Sequence, residues 1–429
     1  MSFKEKISQI ILNKNFRHGM LYTVYSFVNS GISFILLLIL AKYLTPSDYG
    51  YLNLFTTFVT LLNIFISLST VSYITVSFFQ KDRETLRQII LIALATSTGM
   101  LILLSLLMYA FPGYTEHTLG IPIHYLWMGL FICYCQVFNS LNLDIWRLEE
   151  KPLSYGLYSV SFAICNFALS FWLIVNMRYG WLGRVYAWTG LGLVYFLISV
   201  VFLIKRKYLV IKKTSWSLIK ETYIYALPLI PHAASFWLKT GMDRYIINYF
   251  YNESTVGYYS FAANLGSIVS IIGLAFNSSN SVYIYKKLAE GYANVKSSLS
   301  RQTRFMTLLF LIVTLGVILF AWGLIFFFIP AYSESLVYLV PLTLGGFFQC
   351  IYLLWVNYLF FYKKTKQLMT ITISTALLQV VLSIWLTRYS ALYTAYISMI
   401  VYALTMILVK CRSSKILKSK YEEGNIVRS

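Results

Sequence analysis

Lys239, Asp243 and Arg244 lie inside a stretch, residues 225–259 (YALPLIPHAASFWLKTGMDRYIINYFYNESTVGYY), that otherwise reads as a helix crossing a lipid bilayer. A Lys or Asp at the centre of such a helix costs roughly 2.5 to 3.5 kcal/mol, so it persists only beside a partner or a wet cavity. Lys239 and Asp243 stand four residues apart, and on a regular helix their side chains meet on one face. His232 and Phe236 fall near the same stripe. Arg244 lies about 100° further round and makes the segment net positive, which suits an anionic group such as a diphosphate. His232 and Asp243 are the groups placed to carry a coupling proton. Upstream, Pro228 and Pro231 remove amide donors and make the helix a bending element, a hinge. Elsewhere the chain has no phosphate-binding glycine loop, no GxSxG and no paired carboxylates on an outer loop, so no catalytic centre is expected. The five cysteines lie within apolar runs or at a cytoplasmic end, where neither disulfides nor a metal site is expected, and no cofactor is implied.

The elements that hold these residues follow from composition. Of 429 residues, 59% are hydrophobic and 12% charged, against about half and a quarter in a soluble domain. The chain is therefore an all-α integral membrane protein, with twelve apolar runs of about 20 residues, from 19–41 to 391–409. Lys and Arg crowd alternate loops: 29 of the 35 fall before the first run, in every second loop, or after residue 409. That pattern puts both termini in the cytoplasm. The formal charge of +20 is then a topology signal dispersed over short loops, and nucleic acid is not an expected partner. Residues 1–41 are an uncleaved first span, because the apolar run is too long for a signal peptide. Lys42, Arg178, Arg184 and Arg388 are expected at the membrane interface, and 147–151 and 363–366 as turns touching lipid headgroups. Ten Trp and 36 Tyr suit interface belts or a cavity that stacks sugars.

Sliding the chain by 207 residues superposes YLTPSDYGYLNLF (43–55) on FYNESTVGYYSFA (250–262). Gly50 falls on Gly257, Tyr51 on Tyr258, Asn53 on Ser260, Thr57 on Asn264 and Asn63 on Ser270. Spans two and eight share an orientation, so this is a parallel repeat about an axis along the membrane normal. Two six-helix lobes are expected, 1–211 and 212–429, joined by the basic linker 205–221. Asn53, Thr57 and Thr60 share a helical face, as do Ser260, Asn264 and Ser267, and Tyr22, Ser26, Asn29 and Ser33. Such stripes either glue helices together or line a central polar cavity, and three of them favour the cavity. Asn29, Asn53 and Asn264 then join Lys239, Arg244, Asp243 and His232 as candidate substrate contacts.

The turn AKYLTPSDYGYLNLF (41–55), RLEEKPLSYG (147–156) and LPLIPHAASFWLKTGMDRYIINYFYNESTVGYYSFA (227–262) resemble the Wzx-type polysaccharide flippases of the multidrug/oligosaccharidyl-lipid/polysaccharide exporter superfamily. The resemblance covers nearly the whole chain. It implies a twelve-helix carrier of a bacterial inner membrane. Such a carrier moves undecaprenyl-diphosphate-linked oligosaccharide, an O-antigen or similar unit of lipopolysaccharide biosynthesis, to the periplasmic leaflet by alternating access. It implies membrane lipids and a polysaccharide polymerase with its chain-length machinery as partners. Basic cavity residues would engage the diphosphate or acidic sugars, a role falling on Lys239 and Arg244 with Asp243 as partner. The chain departs from a strongly basic first lobe: span one has no basic residue in its middle, only Arg17 at one mouth. A cation-coupled multidrug exporter of the same superfamily would prefer an acidic cavity. A polymerase or ligase would need a large outer loop.

Overall fold

The computed structural model describes residues 14–210 and 214–426, and among these there is no strand. Among the described residues, eleven helices are long and apolar enough to cross a membrane. The chain divides into two compact units after Ala234.

The first unit contains α1 (Lys14–Tyr43), α2 (Pro46–Ser67), α3 (Thr70–Gln80), α4 (Arg83–Ala110), the short α5 (Pro112–Leu119), α6 (Ile123–Leu148), α7 (Pro152–Phe171) and α8 (Leu182–Lys205). A π turn, Trp172–Asn176, closes α7. The seventh apolar run does not form one rod. It breaks into α9 (Trp216–Ala226), α10 (Leu229–Thr240) and α11 (Met242–Phe250). At about 1.5 Å per residue none of these pieces spans a 30 Å hydrocarbon core, which explains eleven long helices beside one interrupted span. The second unit continues with α12 (Glu253–Ala289), α13 (Tyr292–Phe328), α14 (Leu336–Phe361), α15 (Thr365–Leu386) and α16 (Ala391–Ile426). A 3₁₀ turn, Pro330–Ser335, precedes α14. The boundary between units falls within α10, and α9 packs on α3 and α4 of the first.

Each unit repeats one plan. In the first, α6 packs between α2 and α8; in the second, α14 packs between α12 and α16. Thr45 caps α2 by accepting from the Asp48 N–H at 3.1 Å. Asn252, 207 positions on, caps α12 by accepting from the Thr255 N–H at 2.9 Å. Asn63 donates to Gln136 Oε1 across α2 and α6 at 2.7 Å, and its repeat mate Ser270 donates to Gln349 Oε1 across α12 and α14 at 2.9 Å. A chance match of small polar residues would not carry caps and interhelical bonds into the same register.

Two glycines set how closely α12 and α14 approach. A Cβ on Gly266 would stand 3.1 Å from the Thr343 backbone nitrogen, and one on Gly346 would stand 3.2 Å from the Gly266 carbonyl oxygen. Without side chains at these points the backbones pack directly, the usual route to tight helix association in lipid.

The turn after α6 is not simply a headgroup contact. Glu149 accepts from the Tyr208 hydroxyl at 2.6 Å, pairs with Lys151 at 2.8 Å, and pairs with Arg206. The Arg206 guanidinium lies over the Trp146 and Tyr208 rings, and Arg83 Nη2 donates to the Arg206 carbonyl at 3.1 Å. Burial pushes the Glu149 carboxyl up, but the hydrogen bonds from Lys151 and Tyr208 and the Arg206 charge outweigh it and hold the group below the usual carboxylate range. These contacts tie the ends of α6 and α8 to the start of α4.

Candidate functional site

The interrupted span has two breaks, each with a local cause. At residues 227–228 the chain turns between α9 and α10. Pro228 cannot offer an amide to continue α9, while Pro231 sits in the first turn of α10, where its missing N–H costs nothing. The second break is Gly241, whose backbone leaves helical geometry at φ −119°, ψ −42°. Its N–H still reaches the Trp237 carbonyl at 2.7 Å, but the Arg244 N–H bonds back only three residues, to the Gly241 carbonyl at 3.1 Å. The helical phase is therefore lost between Lys239 and Asp243.

That loss corrects the expectation that the two side chains meet. Lys239 is buried at 8% exposure, and its ammonium donates to Thr375 Oγ1 at 2.8 Å and Thr405 Oγ1 at 3.2 Å. Thr405 in turn donates to Thr375 at 3.1 Å. Asp243 is 2% exposed and accepts from three other groups. These are the Tyr259 hydroxyl at 2.8 Å, Gln379 Nε2 at 3.1 Å and Ser383 Oγ at 3.4 Å. Gln379 Nε2 also donates to the Lys239 carbonyl at 3.0 Å, closing the backbone beside the break. Two opposite charges four residues apart are thus each held by neutral dipoles. An ammonium has three N–H donors, of which two have protein acceptors here.

Arg244 is half-buried, and its Nη1 donates to the Thr240 carbonyl while Nε is buried without a partner. The Asn248 Oδ1 is buried and unpaired as well. Phe236 is 59% exposed. His232 has its backbone in α10, and its side chain lies outside the described residues.

The three asparagines have different surroundings. Asn53 is buried and donates to the Tyr49 carbonyl within its own helix at 2.7 Å, and Asn264 is half-buried on α12. Asn29 lines a polar cavity of about 420 Å³ inside the first unit, between α1, α6, α7 and α8. Sequence reasoning missed the residues that hold the two charges. Thr375, Gln379 and Ser383 recur every fourth residue on α15, a polar stripe that would have pointed to them. Arg184 was expected at the interface; it lines the first unit's cavity instead.

The second unit thus holds a buried ammonium on two threonine hydroxyls and a buried carboxylate on hydroxyl and amide donors.

A family model described as polysaccharide biosynthesis protein matches residues 16–283. A Lsg-locus protein of Haemophilus influenzae is 26% identical over 90% of this chain and 95% of its own length. A second membrane protein of Haemophilus influenzae is 25% identical over 79% and 81%. Among solved structures, the inward-facing conformation of a multidrug resistance MATE family transporter of the MOP superfamily superposes with a TM-score of 0.75 at 16% identity. It covers 91% of this chain and 95% of that one. The lipid II flippase MurJ, in an inward closed conformation, gives 0.73 at 15% identity, covering 95% and 91%. The fold is that of these transporters.

Proposed function

The chain belongs to the polysaccharide biosynthesis protein family, and from that premise we propose that it is a flippase for undecaprenyl-diphosphate-linked oligosaccharide in a bacterial inner membrane. It moves the headgroup from the cytoplasmic to the periplasmic leaflet by alternating access, with both termini cytoplasmic. The observation that carries this reading is Lys239. A buried ammonium held by two threonine hydroxyls, with no ion pair to Asp243 among the described residues, keeps its charge available to an anion. Flipping must shield a diphosphate and sugars from hydrocarbon while the lipid tail stays in the bilayer. A fixed cation inside the protein lowers the cost of that passage. Arg244 supplies a second cation, and Asp243 or His232 is the coupling candidate. The breaks at Pro228 and Gly241 let α10 move as a short rigid piece.

A multidrug exporter for cationic compounds would need acidic cavity walls. The polar cavity of the first unit is lined by no Asp or Glu, and the buried cation of the second is unneutralised, so that reading is disfavoured.

The test is genetic and chemical. Deleting the gene should accumulate lipid-linked oligosaccharide in the inner leaflet and remove surface polymer. Wild-type protein should restore display; Lys239→Ala, expressed at the same level, should not. Full display from Lys239→Ala would remove that residue from the site, and absence of precursor accumulation in the deletion strain would end the flippase reading.

A further inference from the structure

Two helices of the second unit are longer than a membrane requires, and a cavity lies where they leave it. At about 1.5 Å per residue, the 37 residues of α13 run well beyond a hydrocarbon core of about 30 Å. The charges of α13 end at Arg304, and 305–328 carry none. On α16 residues 391–409 carry none, and charge resumes at Lys410. Both helices thus mark one membrane–water boundary. Trp355 and Tyr358 on α14 line the same cavity, and both are aromatic types that favour that depth.

The cavity, about 560 Å³, lies between α13, α14 and α16. Lys296, Arg304 and Lys410 line it, and no Asp or Glu does. Among the described residues none of the three cations pairs with a carboxylate. Lys410 Nζ lies 5.7 Å from the centre of the Trp355 ring and Lys296 Nζ 4.1 Å from that of Tyr421, while Arg304 has neither a ring nor an acceptor. Deeper along the cavity the lining turns apolar. Leu308 and Leu311, 56% and 39% exposed, follow Arg304 by about one and two turns of α13, and Ile351 precedes Trp355 by about one turn of α14. The inner wall is fixed: Leu299, Tyr358 and Leu417 are buried in one cluster, and Ser413 Oγ donates to the Trp355 carbonyl at 3.0 Å, tying α16 to α14.

A fitting ligand must set an anion against three cations at the boundary and hydrocarbon against leucines below it. Inorganic phosphate has no hydrocarbon. A zwitterionic phospholipid brings an ammonium among three cations. An anionic glycerophospholipid presents a phosphodiester and then a chain, in the order the lining requires.

We propose that this cavity binds an anionic glycerophospholipid of the surrounding membrane, its phosphodiester among Lys296, Arg304 and Lys410 and an acyl chain along Leu308, Leu311 and Ile351. The site is distinct from the Lys239 group, which reaches α16 at Thr405, about 140° around the helix from Lys410. Nothing in it depends on what the protein carries.

Delipidated full-length protein in detergent should be titrated with phosphatidylglycerol, phosphatidylcholine or undecaprenyl diphosphate, with native mass spectrometry reading the first bound lipid and inorganic phosphate as a competitor. A basic residue near a membrane surface is worth about fivefold in binding an anionic lipid, so phosphatidylglycerol should bind at least about tenfold more tightly than phosphatidylcholine. Arg304→Gln should weaken phosphatidylglycerol about fivefold, and the triple variant Lys296→Gln, Arg304→Gln, Lys410→Gln should bring it to the phosphatidylcholine level. A second triple variant, Lys363→Gln, Lys364→Gln, Lys366→Gln, removes as much charge from the turn before α15 and should leave phosphatidylglycerol binding unchanged. Melting curves show which variants are folded, and Arg304→Gln alone retains the test if the first triple variant is not. Unchanged phosphatidylglycerol binding in folded Arg304→Gln overturns the proposal. Equal weakening by the two triple variants does so too, since diffuse charge would then account for the binding. Phosphatidylcholine binding as tightly as phosphatidylglycerol, or displacement of phosphatidylglycerol by inorganic phosphate, overturns it as well. Tighter binding of undecaprenyl diphosphate, lost in the first triple variant, would assign the cavity to the carried molecule and end the proposal.

Discussion

Replacing Asp243 distinguishes a carboxylate that is built into a network from one that is merely tolerated. In Asp243→Leu the Tyr259 hydroxyl and Gln379 amide, 2% and 0% exposed, lose the acceptor they reach at 2.8 and 3.1 Å. A buried donor left unsatisfied costs about 1 to 3 kcal/mol, while hydrogen bonds measured inside bilayers average about 0.6 and reach about 1.7 kcal/mol. Two stranded donors, with Ser383 at 3.4 Å counted as negligible, therefore predict a loss of about 1 to 3 kcal/mol on the bilayer scale and up to about 6 kcal/mol on the other. Asp243→Asn keeps the shape and one acceptor oxygen, and the Tyr259 and Ser383 hydroxyls can turn to accept from its amide, so its loss should stay near 1 kcal/mol. Reversible unfolding in mixed detergent micelles, followed by far-UV circular dichroism, measures both. A cycle with Tyr259→Phe should return a coupling of about 1 kcal/mol, since the two side chains share one bond. The functional readout separates further: surface-polymer display should fail in Asp243→Asn although the protein is nearly as stable as wild type. If Asp243→Leu lies within about 0.5 kcal/mol of wild type, the donors do not hold the carboxylate and the network argument is wrong.

Gly266→Leu should cost about 1 to 3 kcal/mol by overpacking the α12 and α14 crossing, whereas Gly316→Ala, with nothing within 4 Å of the new Cβ, should be neutral or slightly stabilising; melting temperatures of the two compare them directly. Glu149 has a depressed carboxyl pKa, so the stability it contributes is fully present above the ordinary carboxylate pKa and is lost as pH falls through the lower folded value. Melting curves of wild type and Glu149→Gln should therefore differ at pH 7 and converge in acid; a constant gap would show that the charge is not the stabilising element. Thr405→Asp places a carboxylate where a hydroxyl now accepts from Lys239 at 3.2 Å and should neutralise the cation in a folded protein. Display should then be lost at normal expression, and normal display would mean that the Lys239 charge is not used.

The spans were legible because their signal is local: long apolar runs announce membrane helices. The caps Thr45 and Asn252 went unread, although Thr and Asn are types that start helices. The repeat was legible in a turn glycine, a tyrosine and a polar register, and the Asn63 and Ser270 bonds give it a physical content: the same interhelical position must be satisfied in each unit. Arg184 was not legible as a cavity residue. Two residues into a span, an arginine that snorkels outward and one that turns inward have the same sequence context, and only the packing of α1, α6, α7 and α8 around it decides. Lys239 and Asp243 were found because charge in an apolar run is costly, but their partnership was misjudged because the four-residue rule presumes an unbroken helix. Gly241 was visible between them, and a glycine flanked by a charge on each side is a place to suspect a lost phase.

Separating Lys239 from Asp243 has a functional logic that an ion pair would lack. A direct pair would cancel both fields, and breaking a buried pair to admit a substrate anion would cost about 3 to 5 kcal/mol. Hydroxyl ligands to the ammonium are worth about 0.6 to 1.7 kcal/mol each, so an incoming anion can add to or replace Thr375 or Thr405 at small expense. The same holds in the first unit, where Arg184 keeps one serine and one ring face as partners instead of a carboxylate. Stability is therefore not what these cations provide, since apolar residues of similar volume would pack at least as well. Gln379 joins the two halves of this arrangement in the second unit, donating both to the Lys239 backbone and to the Asp243 carboxylate. One side chain on α15 thus touches both the carboxylate and the backbone of the residue that carries the cation, and exchanging it, as in Gln379→Leu, should weaken the effect of Asp243→Asn on display if the two sites are coupled.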